Sequence, residues 1–130
     1  NRFKLVDQTE RALFEDAKSR GMTVFNAAPF GAGLLAKGSA SGARYGYREV
    51  PDDLRRWVQA AEEVCAANGV SLRAAALHFS LRSPLVDSTV VGVSSASRLA
   101  ELDELAATPV PDDVWGALED LGPAPSNVYA

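Results

Sequence analysis

Two stretches of the chain combine residue types suited to holding an anion. One is Ser94-Ser95-Ala96-Ser97-Arg98, which follows an apolar run ending in Val93. A helix starting there has free backbone N–H groups and the positive end of its dipole, which together favour phosphate or carboxylate. The serine hydroxyls add donors, and Arg98 adds a permanently charged planar fork. The other stretch is Ala27-Ala28-Pro29-Phe30-Gly31-Ala32-Gly33, directly after Phe25-Asn26. Its glycines let the backbone come close to a ligand. Each stretch also has a plainer explanation. Serines at a helix start cap it without any ligand, and a glycine loop alone is an ordinary turn-rich surface segment. Neither GxGxxG nor GxxxxGKS/T occurs.

Little else offers acid–base or metal chemistry. The single histidine, His78, lies in a helical stretch far in sequence from both loops and reads as a packed or surface residue. The single cysteine, Cys65, falls on an apolar stripe and reads as core. One cysteine also excludes an intramolecular disulfide and a cysteine-built zinc site. Glu62 and Glu63 read as a solvated helix face. Asp52-Asp53 and Asp112-Asp113 each follow a proline at a helix start, where the dipole accounts for them. Tyr45 and Tyr47 either contact a ligand or close a loop. With 13 Lys+Arg against 17 Asp+Glu the formal charge is −4, so no basic field collects a nucleic-acid backbone. No apolar run approaches the ~18 residues of a membrane helix, and the N-terminus does not resemble a signal peptide. A cytoplasmic chain is the expectation.

The elements that must position these residues alternate. Residues 3–6 read as a short strand. Thr9 is placed to cap a helix over 10–20, with Gly21 as its left-handed stop. Residues 22–26 form a continuous, largely apolar strand of the kind buried on both faces of a parallel sheet. A glycine-rich stretch, 27–46, is long for a simple connection, which favours function or mobility. Pro51 and Asp52 open a helix whose apolar stripe is Leu54, Trp57, Val58, Ala61, Val64 and Cys65, closed by Asn68-Gly69. Ser71 caps an alanine-rich helix that Pro84 ends. Residues 87–93 read as a third strand. Two further helices follow, one with Leu99, Leu102 and Leu105, the other with Val114, Trp115, Leu118 and Leu121. The alternation implies an α/β fold with parallel strands and helical crossovers.

Taken in order, these stretches resemble the aldo-keto reductase family. The resemblance is carried by residues 1–7, by 21–38, by Tyr45-Gly46-Tyr47-Arg48, by 74–81 followed by Pro84, and by 88–94 followed by Arg98-Leu99-Ala100-Glu101. Within the family the chain resembles the branch of sugar and pyridoxal dehydrogenases. The family resemblance implies the last three strand–helix units of a (β/α)8 TIM barrel, residues 1–130 forming one partial barrel domain with a glycine-rich loop at about 27–50. A whole barrel needs about 250 residues. It also implies NADP or NAD as cofactor and a sugar or aldehyde substrate in the intact enzyme.

By the same resemblance, Ala28, Pro29, Phe30, Gly31 and Gly33 lie along the cofactor pyrophosphate. Gly92, Val93 and Ser94 form the turn after the last strand. Arg98 contacts the adenosine 2′-phosphate or covers the adenine, and Glu101 lies near the adenine or ribose. Lys37 and Arg48 fall where related enzymes place extra phosphate-binding cations. Phe30 with Tyr45 and Tyr47 is expected to form a wall of the substrate pocket. The family's catalytic Asp, Tyr, Lys and His belong to the N-terminal half, so none falls here and the chain alone is expected to be inactive. Many members carry Asn at the position of Leu102, and some place Lys where Gly92-Val93 stands, which leaves NADP against NAD open. Exposed strand edges imply self-association or pairing with an N-terminal half. The alternative is a stand-alone module that binds a nucleotide or a protein without chemistry.

Overall fold

The computed structural model describes residues 2–40, 44–45 and 48–125. Along the chain these form α1 (Arg11–Ser19), β1 (Phe25–Ala27), α2 (Leu34–Lys37), β2 (Arg44–Tyr45) and β3 (Arg48–Glu49). Then come α3 (Asp52–Ala67), α4 (Leu72–Leu81), β4 (Ser88–Val90), α5 (Ala96–Ala107) and α6 (Asp112–Asp120). β1 and β4 pair in parallel, with Phe25 opposite Ser88, Asn26 opposite Thr89 and Ala27 opposite Val90. β2 and β3 form a small antiparallel ladder that the sequence did not suggest.

The core is built on α3. Asp52 and Asp53 complement its first turn, and its predicted stripe holds: Leu54, Val58, Ala61 and Cys65 are fully buried, with Trp57 and Val64 packed at the margin. They meet Ala75 and Ala76 of α4, Val114, Trp115 and Leu118 of α6, and Leu34 and Leu35 of α2. The helix ends where Gly69 takes φ +72° and Val70 N–H donates back to the Cys65 carbonyl at 3.0 Å. Burial in this apolar setting raises the Cys65 thiol to about 11. Ser71 caps α4 as expected, its hydroxyl accepting from Ala74 N–H at 3.0 Å.

Several expectations are corrected. Residues 3–6 do not form a strand in the sheet. Lys4 and Asp7 exchange two backbone hydrogen bonds, which folds the segment onto itself and buries Phe3, Leu5 and Val6. Thr9 does not cap α1; its hydroxyl and N–H both go to Asp7 Oδ1, at 2.7 and 3.1 Å. Glu10 occupies the cap position instead. The strand expected at 22–26 shortens and shifts to Phe25–Ala27, and the one expected at 87–93 shortens to Ser88–Val90. Nor is the sheet buried on both faces: Asn26 is 0% exposed while Phe25 is 65% exposed. α4 covers only one side.

The glycine-rich stretch is anchored rather than loose among its described residues. Glu62 of α3, expected on a solvated face, accepts from Ser39 N–H at 3.2 Å and Ser39 Oγ at 2.6 Å. Arg55 donates to the Ser39 carbonyl at 2.8 Å. Gly38, at φ +85°, lies so close to the Glu62 carboxylate that a Cβ would collide with it. Glu63 is exposed, as expected.

Candidate cofactor-phosphate site

The two loop stretches that the sequence nominates meet at the C-terminal ends of β1 and β4, because the parallel register sets both loops on one edge. After β1 the backbone turns through left-handed conformations at Ala28 (φ +53°), Gly31 (φ +56°), Ala32 (φ +53°) and Gly33 (φ +93°). The two alanines are costly there. Successive backbone bonds hold the turn: Gly31 N–H to Ala28 O at 3.1 Å, Gly33 N–H to Phe30 O at 3.2 Å and Leu35 N–H to Phe30 O at 3.0 Å. Ala28 N–H extends the sheet by donating to Val90 O at 3.3 Å.

Between this turn and the Val91-Gly92-Val93 segment lies a cleft of about 310 Å³. That is the lower end of the ~300–1,000 Å³ usual for ligand pockets. Phe30, Gly33 and Lys37 line one side, Gly92 and Val93 another, Arg98 and Leu102 a third, and Arg73 reaches in from α4. Three cations therefore border one small space, with Glu101 as the nearby carboxylate. Arg73 Nη1 lies 3.4 Å from Glu101 Oε2, and its guanidinium carbon sits 5.6 Å from the Phe30 ring centre. Its Nε is shielded from solvent and has no acceptor among the described residues. An array of this kind fits a phosphate-bearing ligand.

Of the ten cofactor residues expected from sequence, Phe30, Gly33, Gly92, Val93 and Arg98 line the cleft, and so does Lys37. Pro29 is buried in the interior, and Gly31 packs against the Tyr45 ring, which a Cβ there would approach to 3.3 Å. Ala28 serves the strand end, and Glu101 reaches the site through Arg73. Ser94 is exposed beside it. The capping account of the serines holds for Ser95, whose hydroxyl accepts from Arg98 N–H at 3.3 Å and bonds Ser97 Oγ at 3.0 Å. Arg48 lies exposed on β3. Tyr45 is 2% exposed, a core residue rather than a pocket wall. Tyr47 and Gly46 lie outside the described residues. His78 is half-buried with Nε2 3.1 Å from the Leu105 carbonyl, so it ties α4 to α5.

Arg73 escaped the sequence reading. A signal was present: a cation in the first turn of a helix, where the dipole disfavours it. A larger cavity, about 660 Å³, lies between the 3–9 segment, α4 and α6, lined by Phe3, Trp57, Phe79 and Trp115 with Arg82 4.4 Å from the Trp115 ring centre. It shares no lining residue with the cleft at the strand ends and holds none of the residues that the sequence nominates for a site. Among the described residues no cluster of His, Cys, Asp and Glu is arranged to hold a metal, and no helix is long and apolar enough to cross a membrane.

Comparisons with known proteins agree on one family. The Aldo/keto reductase family profile matches residues 1–123. The chain is 29% identical over 122 residues to pyridoxal 4-dehydrogenase of Microbacterium luteolum, covering 93% of the chain and 36% of that enzyme. It is 33% identical over 121 residues to D-threo-aldose 1-dehydrogenase of a Pseudomonas species, covering 92% of the chain and 37% of that enzyme. The chain thus spans a little over a third of the curated relatives it matches. In structure it is similar to an aldo-keto reductase of Bacillus halodurans solved in a holo form. The TM-score is 0.69 at 20% identity, over 92% of this chain and 40% of that one. That likeness supports the parallel α/β fold, and the profile match over nearly the whole length decides the affiliation: the chain belongs to the aldo/keto reductase family.

Proposed function

We propose that this chain supplies the phosphate and adenine end of the cofactor site in an NAD(P)-dependent oxidoreductase. The observation that carries this reading is the convergence of Lys37, Arg73 and Arg98 with the Phe30–Gly33 turn and Gly92-Val93 around one cleft at the strand ends. The bound nucleotide would supply hydride chemistry. The residues present would hold its phosphate, stack or cover its adenine and exclude water beneath it. Phe30 offers an aromatic face, and Gly33 and Gly92 leave room for a close-lying ligand backbone. The substrate of the intact enzyme is proposed to be a sugar or aldehyde carbonyl, in keeping with the two dehydrogenases named above. The catalytic Asp, Tyr, Lys and His are proposed to lie outside these 130 residues, which alone do no turnover.

Titration with NADPH and NADH, following nucleotide fluorescence, tests this. Saturable binding that Arg98→Ala weakens by roughly tenfold is the expected result. Absence of any binding would sink the reading. Turnover of aldehydes by the chain alone at the rate of an intact reductase would overturn the assignment of catalysis elsewhere.

A second reading is favoured by the uncovered face of the sheet, where Phe25 and Val90 are exposed. On it the chain is a binding module whose partner is a protein: an N-terminal half, or a second copy pairing sheet edges. Light scattering distinguishes these. A strictly monomeric profile with no binding of an apolar dye counts against both.

A further inference from the structure

The cleft holds one residue whose presence neither the loops nor the helix start accounts for. Arg73 stands in the first turn of α4, where the helix dipole works against a cation. The one hydrogen bond of its side chain among the described residues is the long contact with Glu101 at 3.4 Å. A guanidinium carries five N–H donors in a rigid fork. Arg73 Nε is shielded and lacks an acceptor among the described residues, which is costly for a charged donor. The Phe30 ring, 5.6 Å away, and the Glu101 carboxylate hold the group at the rim of the space that Arg98 and Lys37 also border. The unmet donor, the unfavourable helix position and the shared cleft are each what a guanidinium serving an anionic ligand would show.

We propose that Arg73 is a specificity-determining residue, supplying from α4 a second guanidinium that selects a nucleotide bearing a phosphomonoester over one bearing a hydroxyl at the same position. The proposal rests on the cofactor reading above and deepens it. Three cations against one carboxylate leave two positive charges, which match a phosphomonoester dianion better than a neutral ribose hydroxyl. Arg98 comes from α5 and Arg73 from α4, so the two forks approach the phosphate from different elements. Glu101 and Phe30 orient Arg73 in advance, which lowers the entropy lost when it engages.

The experiment measures affinity of the 130-residue chain for 2′,5′-ADP and for 5′-AMP, in wild type, Arg73→Met and Arg73→Lys. Wild type is expected to prefer 2′,5′-ADP. Arg73→Met should weaken 2′,5′-ADP roughly tenfold or more and leave 5′-AMP within about twofold, with a shallower salt dependence. Arg73→Lys should recover part of the preference, because it keeps the charge but not the fork. Equal loss for both nucleotides in Arg73→Met, or no loss for either, overturns the proposal and leaves the cofactor reading standing. Binding of neither nucleotide by wild type overturns both. Should Arg73→Met fail to fold, Arg73→Lys decides: a retained but reduced preference supports the proposal, and equal loss for both nucleotides ends it.

Discussion

The two faces of the β1–β4 sheet differ in how completely they are partnered. On the helix side, Asn26 donates to the Phe3 carbonyl at 3.0 Å and to Ser80 Oγ at 2.8 Å, and Ser80 shares a 2.7 Å hydrogen bond with Thr89. A buried polar network of this kind pins strand, helix and N-terminal segment together. On the opposite side Phe25 is 65% and Val90 is 50% exposed. The apolar content of the two strands is therefore divided: one face is used within the described residues, and the other is left to solvent. Stability resides on the first, and the edge that carries the cleft joins the two.

That contrast can be broken most severely on the helix side. Leu54→Ala should cost about 2–5 kcal/mol in urea unfolding, because it opens a cavity at the centre of the α3 stripe. Asn26→Ala should cost about 1–3 kcal/mol, since it removes the buried hydrogen bonds to the Phe3 carbonyl and to Ser80 Oγ. A smaller, pH-linked effect belongs to the sheet's rim. Asp87 accepts from Lys18 Nζ at 2.7 Å and from Val24 N–H at 2.7 Å, and these bonds hold its carboxyl below the ordinary value of 3.8. Its contribution is present above that value and is lost as pH falls through the lowered one. Acid titration of Lys18→Met should accordingly show a weaker loss of stability in that window than wild type. On the open face, Phe25→Thr should change unfolding stability by no more than about 0.5 kcal/mol. A loss of several kcal/mol there would mean that the face is covered in solution and would abolish the contrast.

Cys65 sharpens the same comparison from inside the core. With its thiol pushed up to about 11, the folded protein should react with a thiol reagent near pH 8 far more slowly than the urea-unfolded chain. Equal rates would show that the α3 seam opens freely.

Much of the helical frame was legible because its signals are local. The apolar spacing of α3, the Ser71 cap and the Gly21 stop (φ +70°) depend on residues within one or two turns. The strands were harder. A run such as 22–26 carries apolar residues without saying which will be covered, and pairing with Ser88–Val90 is settled sixty residues away. Thr9 looked like a cap only until Asp7 claimed its hydroxyl and N–H. Of the site, Arg98 was readable because it adjoins the end of a strand and a helix start, and Gly92-Val93 through the family resemblance. Arg73 was not, because it enters from another helix and its place in the cleft is visible only beside Phe30 and Glu101.

By itself the sequence determined the α/β alternation, the helix that organises the core, the two strand-end loops and the family resemblance. Each depends on periodicity, turn chemistry or an ordered series of motifs. Tertiary structure alone decided that Phe3–Asp7 folds back instead of joining the sheet, that Glu62 and Arg55 anchor the glycine-rich stretch, and that three cations from three helices meet at one cleft. Those outcomes turn on contacts between residues far apart in the chain, and no local pattern encodes which distant group will supply the partner.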